Sequence, residues 1–347
     1  MKLYICHHTD NDGFMGAAVL YDHAINDLKI IDEDTKLIEN TEFVKCNYGF
    51  DFTEFIDTLE IGDYVWIVDF SFEPDVFKRI VEKVIGHEWN GLANAEVKKQ
   101  IVWIDHHDSA IKKYDSTRLF MDGVPGLRST VAAGCELAWY WVNLPERLLD
   151  DYHIMNARTE RSSDIHKSEY ENYLIPISIA LVGDWDTWSF NFPTTKLFNA
   201  GLRSLEADMT DPLTWYEMFL FPGRALGARR VADVIERGKI AQIVINNQFY
   251  MMSKKAFEFT DSKGRSWIAL NSLINSSKVF GEEAEDKYDF MLTFSNYKNK
   301  YWNYSIYSTK YDTREVDFYG HHSEGHPGAS GFEAEYLITD DIGDHVK

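Results

Sequence analysis

Apolar segments that run directly into acidic or histidine side chains recur in the N-terminal third of this sequence. The clearest spans residues 101–108, where Ile-Val-Trp-Ile precedes Asp-His-His-Asp. An unbroken apolar run of this kind is typical of a strand buried on both faces, as in a parallel sheet. Groups that follow such strands lie in the crevice where open α/β sheets bind ligands. The pattern therefore predicts a doubly wound, mainly parallel α/β sheet with a site where its strands end.

The first of these segments, residues 2–6, leads into a turn that carries His8, Asp10 and Asp12. Alternating carboxylates beside an imidazole are suitable ligands for divalent ions such as Mn²⁺ or Mg²⁺. An acidic turn closed by an Asp-Gly pair accounts for the same residues without any metal. The turn by itself leaves both interpretations open.

Two further segments deliver carboxylates in the same way. Residues 64–68 end at Asp69, and residues 177–183 lead into Asp184 and Asp186. Periodicity does not decide whether the second of these segments is helical or extended. We prefer Asp184 as the functional carboxylate because it directly follows the apolar run. Several carboxylates gathered at one place repel one another strongly unless cations intervene.

Length and helical spacing predict the domain organisation. A chain of 347 residues is long enough for about two domains. Residues 1–223 are predicted to form the larger α/β domain, residues 224–248 a helical linker, and residues 249–347 a smaller mixed α/β domain. Residues 129–138 predict a helix whose N-terminus faces the site and attracts an anion.

Charge and cysteine content limit the possible partners and compartment. A net charge of −21 argues against a broad grip on long nucleic acid, which depends on neutralising many phosphates. A short phosphorylated ligand is still compatible if metal ions supply local positive charge. Three scattered cysteines fit a reducing compartment, and no apolar run approaches the roughly 18 residues of a membrane span. We therefore expect a cytoplasmic protein without a membrane partner.

Taken in order, the strand-terminal groups resemble the four motifs of the DHH phosphoesterase superfamily, which is named for its Asp-His-His triplet. The residues that carry the resemblance are His8-x-Asp10-x-Asp12-Gly13, Asp69, Asp105-His106-His107 and Asp184. The superfamily includes RecJ-type exonucleases, nanoRNase/pAp phosphatases, cyclic-dinucleotide phosphodiesterases and related pyrophosphatases. Many members carry the first-motif histidine where this chain has Cys6, so His7 stays an alternative to His8. Asp186 likewise stays an alternative to Asp184.

The resemblance implies a centre of two Mn²⁺ ions, with Mg²⁺ or Co²⁺ as substitutes, roughly 3.5–4 Å apart. It assigns one ion to His8 and Asp10, the other to the set Asp12, His106 and Asp184, and a bridging position to Asp69. A water activated by both ions attacks phosphorus. Asp105 supports a neighbouring ligand, and His107 contacts the scissile phosphate.

A second resemblance lies near the C-terminus, where glycines cluster. Clustered glycines let backbone N–H groups approach a ligand closely, although a simple turn has the same composition. The segment is similar to the Gly-Gly-His-x-x-Ala-Ala-Gly signature of the substrate-binding domain attached to many DHH enzymes. It assigns substrate binding to Gly325, His326, Gly328, Ser330 and Gly331. Tyr307 stands where many members carry an arginine, so the exact substrate is left open.

The resulting hypothesis is a Mn²⁺-dependent phosphodiesterase that hydrolyses short oligonucleotides. Cyclic dinucleotides, pAp-type phosphomonoesters and polyphosphate are alternative substrates within the same class. A hypothesis from another class is a non-catalytic module that senses a nucleotide. Long duplex nucleic acid is not an expected partner, and a homodimer is left open as the assembly.

Overall fold

The computed structural model describes residues 1–26, 40–91, 95–115, 124–149, 175–221, 223–281, 283–318, 320–335 and 337. The chain forms two compact units, residues 1–241 and residues 242–347. The predicted linker, residues 224–248, lies within one long helix, Gly223–Ser253. The boundary between the two units, after residue 241, falls within this helix. Among the described helices, none combines the length and the apolar character needed to span a membrane.

A four-stranded parallel sheet with the order β2-β1-β3-β4 organises the first unit. Its strands are β1 (Leu3–His8), β2 (Thr41–Cys46), β3 (Tyr64–Val68) and β4 (Ile101–Ile104). β3 and β4 are buried along their whole length, as their unbroken apolar runs predict. The predicted α/β class with a parallel sheet is confirmed.

Helices cover both faces of this sheet. They are α1 (Asn11–Asn26), α2 (Thr53–Thr58), α3 (Pro74–Ile85), α4 (Ala95–Gln100), α5 (Asp108–Asp115), α6 (Gly134–Asn143), α7 (Ile177–Asp186), α8 (Thr195–Leu202), α9 (Pro212–Trp215) and α10 (Gly223–Ser253). Successive strand residues point to opposite faces, so Ile5 belongs to a core shared with α1, α6 and α7, whereas Tyr4 belongs to a core shared with α3. The sheet is therefore doubly wound.

The structure settles one segment that the sequence left open and corrects the start of one predicted helix. The apolar segment that starts at Ile177 is helical and continues to Asp186. The helix predicted over residues 129–138 begins only at Gly134. The reason is that the backbone before it extends the sheet edge, since Asp105 N–H donates to Leu127 O at 3.1 Å and Ser129 N–H to Asp105 O at 3.1 Å.

The second unit is built on a six-stranded mixed sheet with the order β11-β12-β8-β7-β6-β5. Its strands are β5 (Phe257–Thr260), β6 (Ser266–Asn271), β7 (Phe290–Tyr297), β8 (Tyr301–Tyr307), β11 (Glu324–His326) and β12 (Ala329–Ala334). β9 (Asp317–Phe318) and β10 (His321–His322) form a separate pair, and α11 (Ala284–Lys287) is one short turn. Only β6 and β7 run parallel among these described strands. The C-terminal end of α10 packs on the sheet through Phe249 and Met252.

Candidate metal centre

The carboxyl ends of β1, β3 and β4 bring the strand-terminal side chains of the first unit together. Parallel strands end at the same edge of a sheet, so groups distant in sequence become neighbours there. The end of α7 contributes one more carboxylate. Three groups of possible ligands result, each with ligand atoms within 4.8 Å of one another: His8/Asp10/Asp69, Asp12/His106/Asp186 and Asp69/His106/His107.

Asp10 is the most firmly anionic member of the first group. Its Oδ2 lies 2.7 Å from His8 Nδ1, and its Oδ1 accepts the Gly13 N–H at 2.9 Å. Burial alone raises the pKa of Asp10, but these hydrogen bonds to the ionised form outweigh it and hold the pKa at about 2. His8 and Asp10 thus present a preformed imidazole–carboxylate pair at the start of α1.

His106 lies at the centre of the second group. Its Nε2 is 3.1 Å from Asp69 Oδ1, 3.4 Å from Asp186 Oδ2 and 3.7 Å from Asp12 Oδ2. Burial lowers the pKa of His106 despite these carboxylates, so the imidazole is neutral at pH 7. A neutral imidazole is the form that binds a metal.

The N-terminus of α6 holds Asp12 in place. Asp12 Oδ2 accepts the Gly134 N–H at 2.7 Å, and Oδ1 accepts the Cys135 N–H at 2.9 Å. Backbone donors at a helix start favour negative charge. The anion at this helix end is therefore a carboxylate of the protein itself. A Cβ on Gly134 would lie 2.7 Å from Asp69 Cβ, so only glycine allows α6 to come this close.

Asp69 is the residue whose surroundings most require a cation. It is 1% exposed, and within the described part of the chain its Oδ1 accepts no hydrogen bond. Burial and the charges of Asp12 and Asp10 raise the pKa of Asp69 well above its ordinary value. A buried carboxylate oxygen without a donor is strongly unfavourable unless a proton or a metal ion neutralises it. Its place in two of the ligand groups fits a carboxylate shared by two ions.

The predicted ligand Asp184 points away from the centre, and this assignment is corrected to Asp186. Asp184 Oδ1 accepts the Asn191 N–H at 2.8 Å, and Oδ2 accepts the Phe192 N–H at 3.2 Å and the Thr195 hydroxyl. The preference for Asp184 rested on its position directly after the apolar run, whose conformation the sequence left open. Because the segment is a helix up to Asp186, the two carboxylates lie on different helix faces. Burial and Asp12 raise the pKa of Asp186 to about 8.

Exchanging each of these two carboxylates for an amide separates their roles. We expect Asp184→Asn to lower stability by about 2 kcal/mol, because it disrupts hydrogen bonds to a charged acceptor. We expect Asp186→Asn to weaken Mn²⁺ binding by at least roughly 10- to 100-fold without destabilising the metal-free protein. Thermal unfolding without metal and calorimetric titration with Mn²⁺ measure the two effects. Weaker Mn²⁺ binding in Asp184→Asn than in Asp186→Asn would contradict the assignment.

Asp105 and His107 form a hydrogen-bonded pair beside the ligand groups. Asp105 is fully buried, and its Oδ1 lies 2.8 Å from His107 Nδ1 while its Oδ2 accepts the Ser71 hydroxyl. Burial opposes ionisation of both side chains. The hydrogen bond between them nevertheless lowers the pKa of Asp105 and raises that of His107. Asp105 therefore fixes the orientation of His107 and favours its protonated form.

Two further side chains, those of His7 and Tyr48, lie near His8. His7, the alternative ligand, is fully buried and packs edge-on against Phe14, and its Nδ1–H donates to His8 O at 2.8 Å. Alternation along β1 explains this, because neighbouring strand residues face opposite sides. Tyr48, which sequence analysis did not single out, lies with its ring centroid 6.1 Å from that of His8 and 6.2 Å from that of His107. It is 53% exposed, so it lines the open side of the centre.

The predicted C-terminal binding segment forms a β-hairpin in the second unit. Gly325 pairs with Ser330, and Gly328 lies in the turn between β11 and β12. Ser330 Oγ donates to Ser323 Oγ at 2.8 Å, and a Cβ on Gly331 would lie 2.7 Å from Tyr304 O. These contacts give Ser330 and Gly331 roles in sheet packing. The side chain of His326 lies outside the described part of the structure, and substrate binding by this segment stays a prediction.

Comparisons with known proteins returned matches among solved structures alone. No family model matches the chain, and no curated protein matches it. A structure described as the DHH domain of a member of a family of ribosomal proteins aligns with a TM-score of 0.48 and 13% identity, covering 95% of this chain and 82% of that one. An exonuclease RecJ bound to manganese aligns at 0.43 and 12%, covering 95% and 85%. RecJ of Thermus thermophilus in complex with Mn²⁺ aligns at 0.46 and 13%, covering 95% and 49%.

One of these descriptions names a DHH domain, and the other two name RecJ. The functional proposal rests on the geometry of the metal centre.

Proposed function

We propose that this chain is a metal-dependent phosphoesterase of the DHH type that hydrolyses phosphodiester bonds in short oligonucleotides. The observation that carries the proposal is a pair of adjacent ligand groups at the carboxyl edge of a parallel sheet, with Asp69 beside both. Two divalent ions held side by side are suited to in-line displacement at phosphorus.

The residues present fit a pair of Mn²⁺ ions. His8 and Asp10 would hold one ion, and Asp12, His106 and Asp186 would hold the other. The mixture of carboxylates and neutral imidazoles suits Mn²⁺, with Mg²⁺ or Co²⁺ as substitutes. When bound, the ions neutralise the buried carboxylates, polarise the phosphoryl oxygens and lower the pKa of water.

His107 and Asp105 supply the proton chemistry in this proposal. Asp105 holds the Nδ1 proton of His107, which leaves Nε2 of the imidazolium to donate to a phosphate oxygen or to the leaving oxygen. The raised pKa of His107 keeps this proton available near neutral pH. The Asp12 carboxylate, held by two backbone N–H groups of α6, stays in position throughout.

Short substrates agree with the charge of the chain. With a net charge of −21, the chain lacks the excess of positive charge that attracts a long polyanion. Metal ions at the centre would supply positive charge for one or a few phosphates. This favours oligonucleotides of a few residues over long duplexes.

A hydrolysis assay tests the proposal. End-labelled di- to penta-ribonucleotides are incubated with the full chain and Mn²⁺, beside cyclic dinucleotides, pAp and polyphosphate. We expect metal-dependent release of mononucleotides from the oligonucleotides. Asp69→Asn and His106→Ala should abolish turnover. Asp108→Asn is the matched control. Asp108 follows β4, as His106 does, but its carboxylate pairs with Lys112 at the surface.

Three outcomes are informative. Equal turnover by the wild type and all variants would remove the site assignment. Turnover of another member of the panel alone would replace the oligonucleotide by that substrate. Tight nucleotide binding without hydrolysis of any substrate would identify the chain as a nucleotide-binding module.

A further inference from the structure

Three aromatic rings contact one another at the metal-facing end of α7, with Trp185 in its last turn and Trp188 and Phe190 just beyond it. The centroids of Trp185 and Trp188 are 6.0 Å apart, those of Trp185 and Phe190 5.8 Å, and those of Trp188 and Phe190 5.4 Å. The planes of the two tryptophans are inclined by only 31°. We refer to these three residues as the aromatic platform.

Trp188 occupies a backbone position that normally belongs to glycine. Its N–H donates to Trp185 O, and the Ser189 N–H donates to Asp184 O, which together form the Schellman arrangement at a helix end. In this arrangement the residue at the Trp188 position is left-handed, and its φ is 51°. A bulky side chain is disfavoured in that region, because only glycine lacks the steric conflict of a Cβ.

Packing does not explain the tryptophan at this position. Trp188 is 70% exposed, so it buries little apolar surface. The small gain in free energy from this burial does not offset the cost of the left-handed backbone conformation. Large exposed aromatic groups on a strained backbone are typical of ligand-binding positions. The loop that carries the ring is nevertheless well fixed, because the Asp184 carboxylate accepts the backbone N–H groups of Asn191 and Phe192.

The aromatic platform adjoins the metal centre through the chain itself. Trp188 is two residues beyond Asp186, so their Cα atoms are at most about 7.6 Å apart. Asp186 Oδ2 lies 3.4 Å from His106 Nε2. The Lys196 ammonium is 4.8 Å from the centroid of the Phe190 ring, which places a positive charge at the platform in an otherwise strongly acidic chain. Aromatic surface and a cation thus lie beside the end of α7 that contributes Asp186 to the metal centre.

We infer that the aromatic platform stacks the nucleobase of the nucleotide whose phosphate lies at the metal centre. This inference rests on the proposed function and deepens it, because it assigns base-bearing nucleotides, not polyphosphate, as the substrate class. Stacking uses the π-face that every base possesses, so the platform discriminates little among the four bases. Trp188 provides the exposed ring, Trp185 and Phe190 support it, and Lys196 complements the charge of the ligand.

Titration calorimetry with two matched ligands tests the inference. Adenosine 5′-monophosphate and ribose 5-phosphate carry the same sugar phosphate and differ in the base. In the presence of Mn²⁺ we expect the full chain to bind adenosine 5′-monophosphate roughly tenfold more tightly, as is usual for one stacked base. Trp188→Gly should erase this preference and leave the affinity for ribose 5-phosphate unchanged.

Thermal unfolding of the same variant separates binding from packing. Because glycine is the favoured residue at this helix end, Trp188→Gly should unfold at the same or a higher temperature than the wild type. Phe221→Ala is the matched control, since Phe221 is 69% exposed and belongs to a different segment of the first unit. It should leave both affinities unchanged.

The inference is overturned if the wild type binds both ligands equally, if Trp188→Gly keeps the preference, or if it weakens both ligands alike. A clearly lowered unfolding temperature of Trp188→Gly would assign the ring to packing and also overturn it. Intact Mn²⁺-dependent hydrolysis of oligonucleotides in any of these cases would leave the proposed function standing. Absence of hydrolysis by the wild type is a failure of the proposed function itself.

Discussion

Asp69→Asn is expected to reduce Mn²⁺-dependent hydrolysis by roughly a thousandfold or more, which corresponds to about 4 kcal/mol of lost transition-state stabilisation. The asparagine side chain has nearly the same shape, but it removes a charge that belongs to the His8/Asp10 group and lies 3.1 Å from His106 Nε2 of the other group. Initial rates with a labelled dinucleotide at saturating Mn²⁺ measure the effect.

The same variant is expected to be at least as stable as the wild type when no metal is bound. At pH 7 the wild-type protein must keep Asp69 buried among Asp10 and Asp12, which raises its pKa. Removing one of several like charges relieves that repulsion. Loss of activity together with retained or increased unfolding temperature distinguishes a functional carboxylate from a structural one.

Asp63→Asn provides the matched control on the same strand. Asp63 precedes β3 and Asp69 follows it, and both are almost fully buried. The Asp63 carboxylate accepts the backbone N–H groups of Lys2 and Glu60 at 2.8 and 2.9 Å. Its replacement should lower stability by about 1–3 kcal/mol and leave hydrolysis intact. Equal activity of Asp69→Asn and Asp63→Asn would contradict the role given to Asp69.

Mn²⁺ is expected to raise the unfolding temperature, and more strongly at pH 8 than at pH 5.5. The pKa of Asp69 and that of Asp186, at about 8, are raised in the folded protein. A carboxyl whose pKa is raised on folding binds more protons in the folded state, so its contribution to stability is lost as pH rises from about 4 towards 8. Mn²⁺ needs the ionised carboxylates, so its affinity rises over the same interval.

At a Mn²⁺ concentration of about 100 times Kd, the expected gain is about 2.7 kcal/mol, or roughly 5–10 °C for a unit of this size. Scanning calorimetry after chelation, with and without added Mn²⁺, measures the shift at both pH values. Burial lowers the pKa of His106, whereas the hydrogen bond to Asp105 raises that of His107, so protonation of these two side chains has opposite effects on stability and Asp186→Asn serves as the reference. Between pH 5.5 and pH 8, the unfolding temperature of metal-free Asp186→Asn should fall less than that of the metal-free wild type. A Mn²⁺ shift that is larger at pH 5.5 would contradict the prediction.

The strand-terminal residues were predictable because their pattern is local. An apolar run identifies β3 or β4, and the residues directly after it must lie at the edge of the sheet, which places Asp69 and His106. The choice between Asp184 and Asp186 was wrong because an apolar run of that length does not distinguish a helix from a strand. The consequence was large, since two residues that are two positions apart near a helix end face different partners.

Other features depend on contacts that no local pattern contains. Asp12 accepts its hydrogen bonds from Gly134 and Cys135, which are 122 and 123 residues away in sequence. Trp188 is unusual because it occupies the left-handed position after a helix end, and the sequence did not show where that helix ends. The glycine cluster near the C-terminus did not indicate that a Cβ on Gly331 would lie 2.7 Å from Tyr304 O of the adjacent strand β8.

The contact between α6 and Asp12 has a consequence for how the protein holds its ions. The first two amides of this helix fasten one ligand, and Gly134 lies against another, Asp69. Any local opening that lifts the start of α6 would release Asp12 and expose Asp69 together. For ions bound as proposed, local unfolding of this helix end would therefore be coupled to their dissociation, although α6 itself supplies no ligand to the groups described.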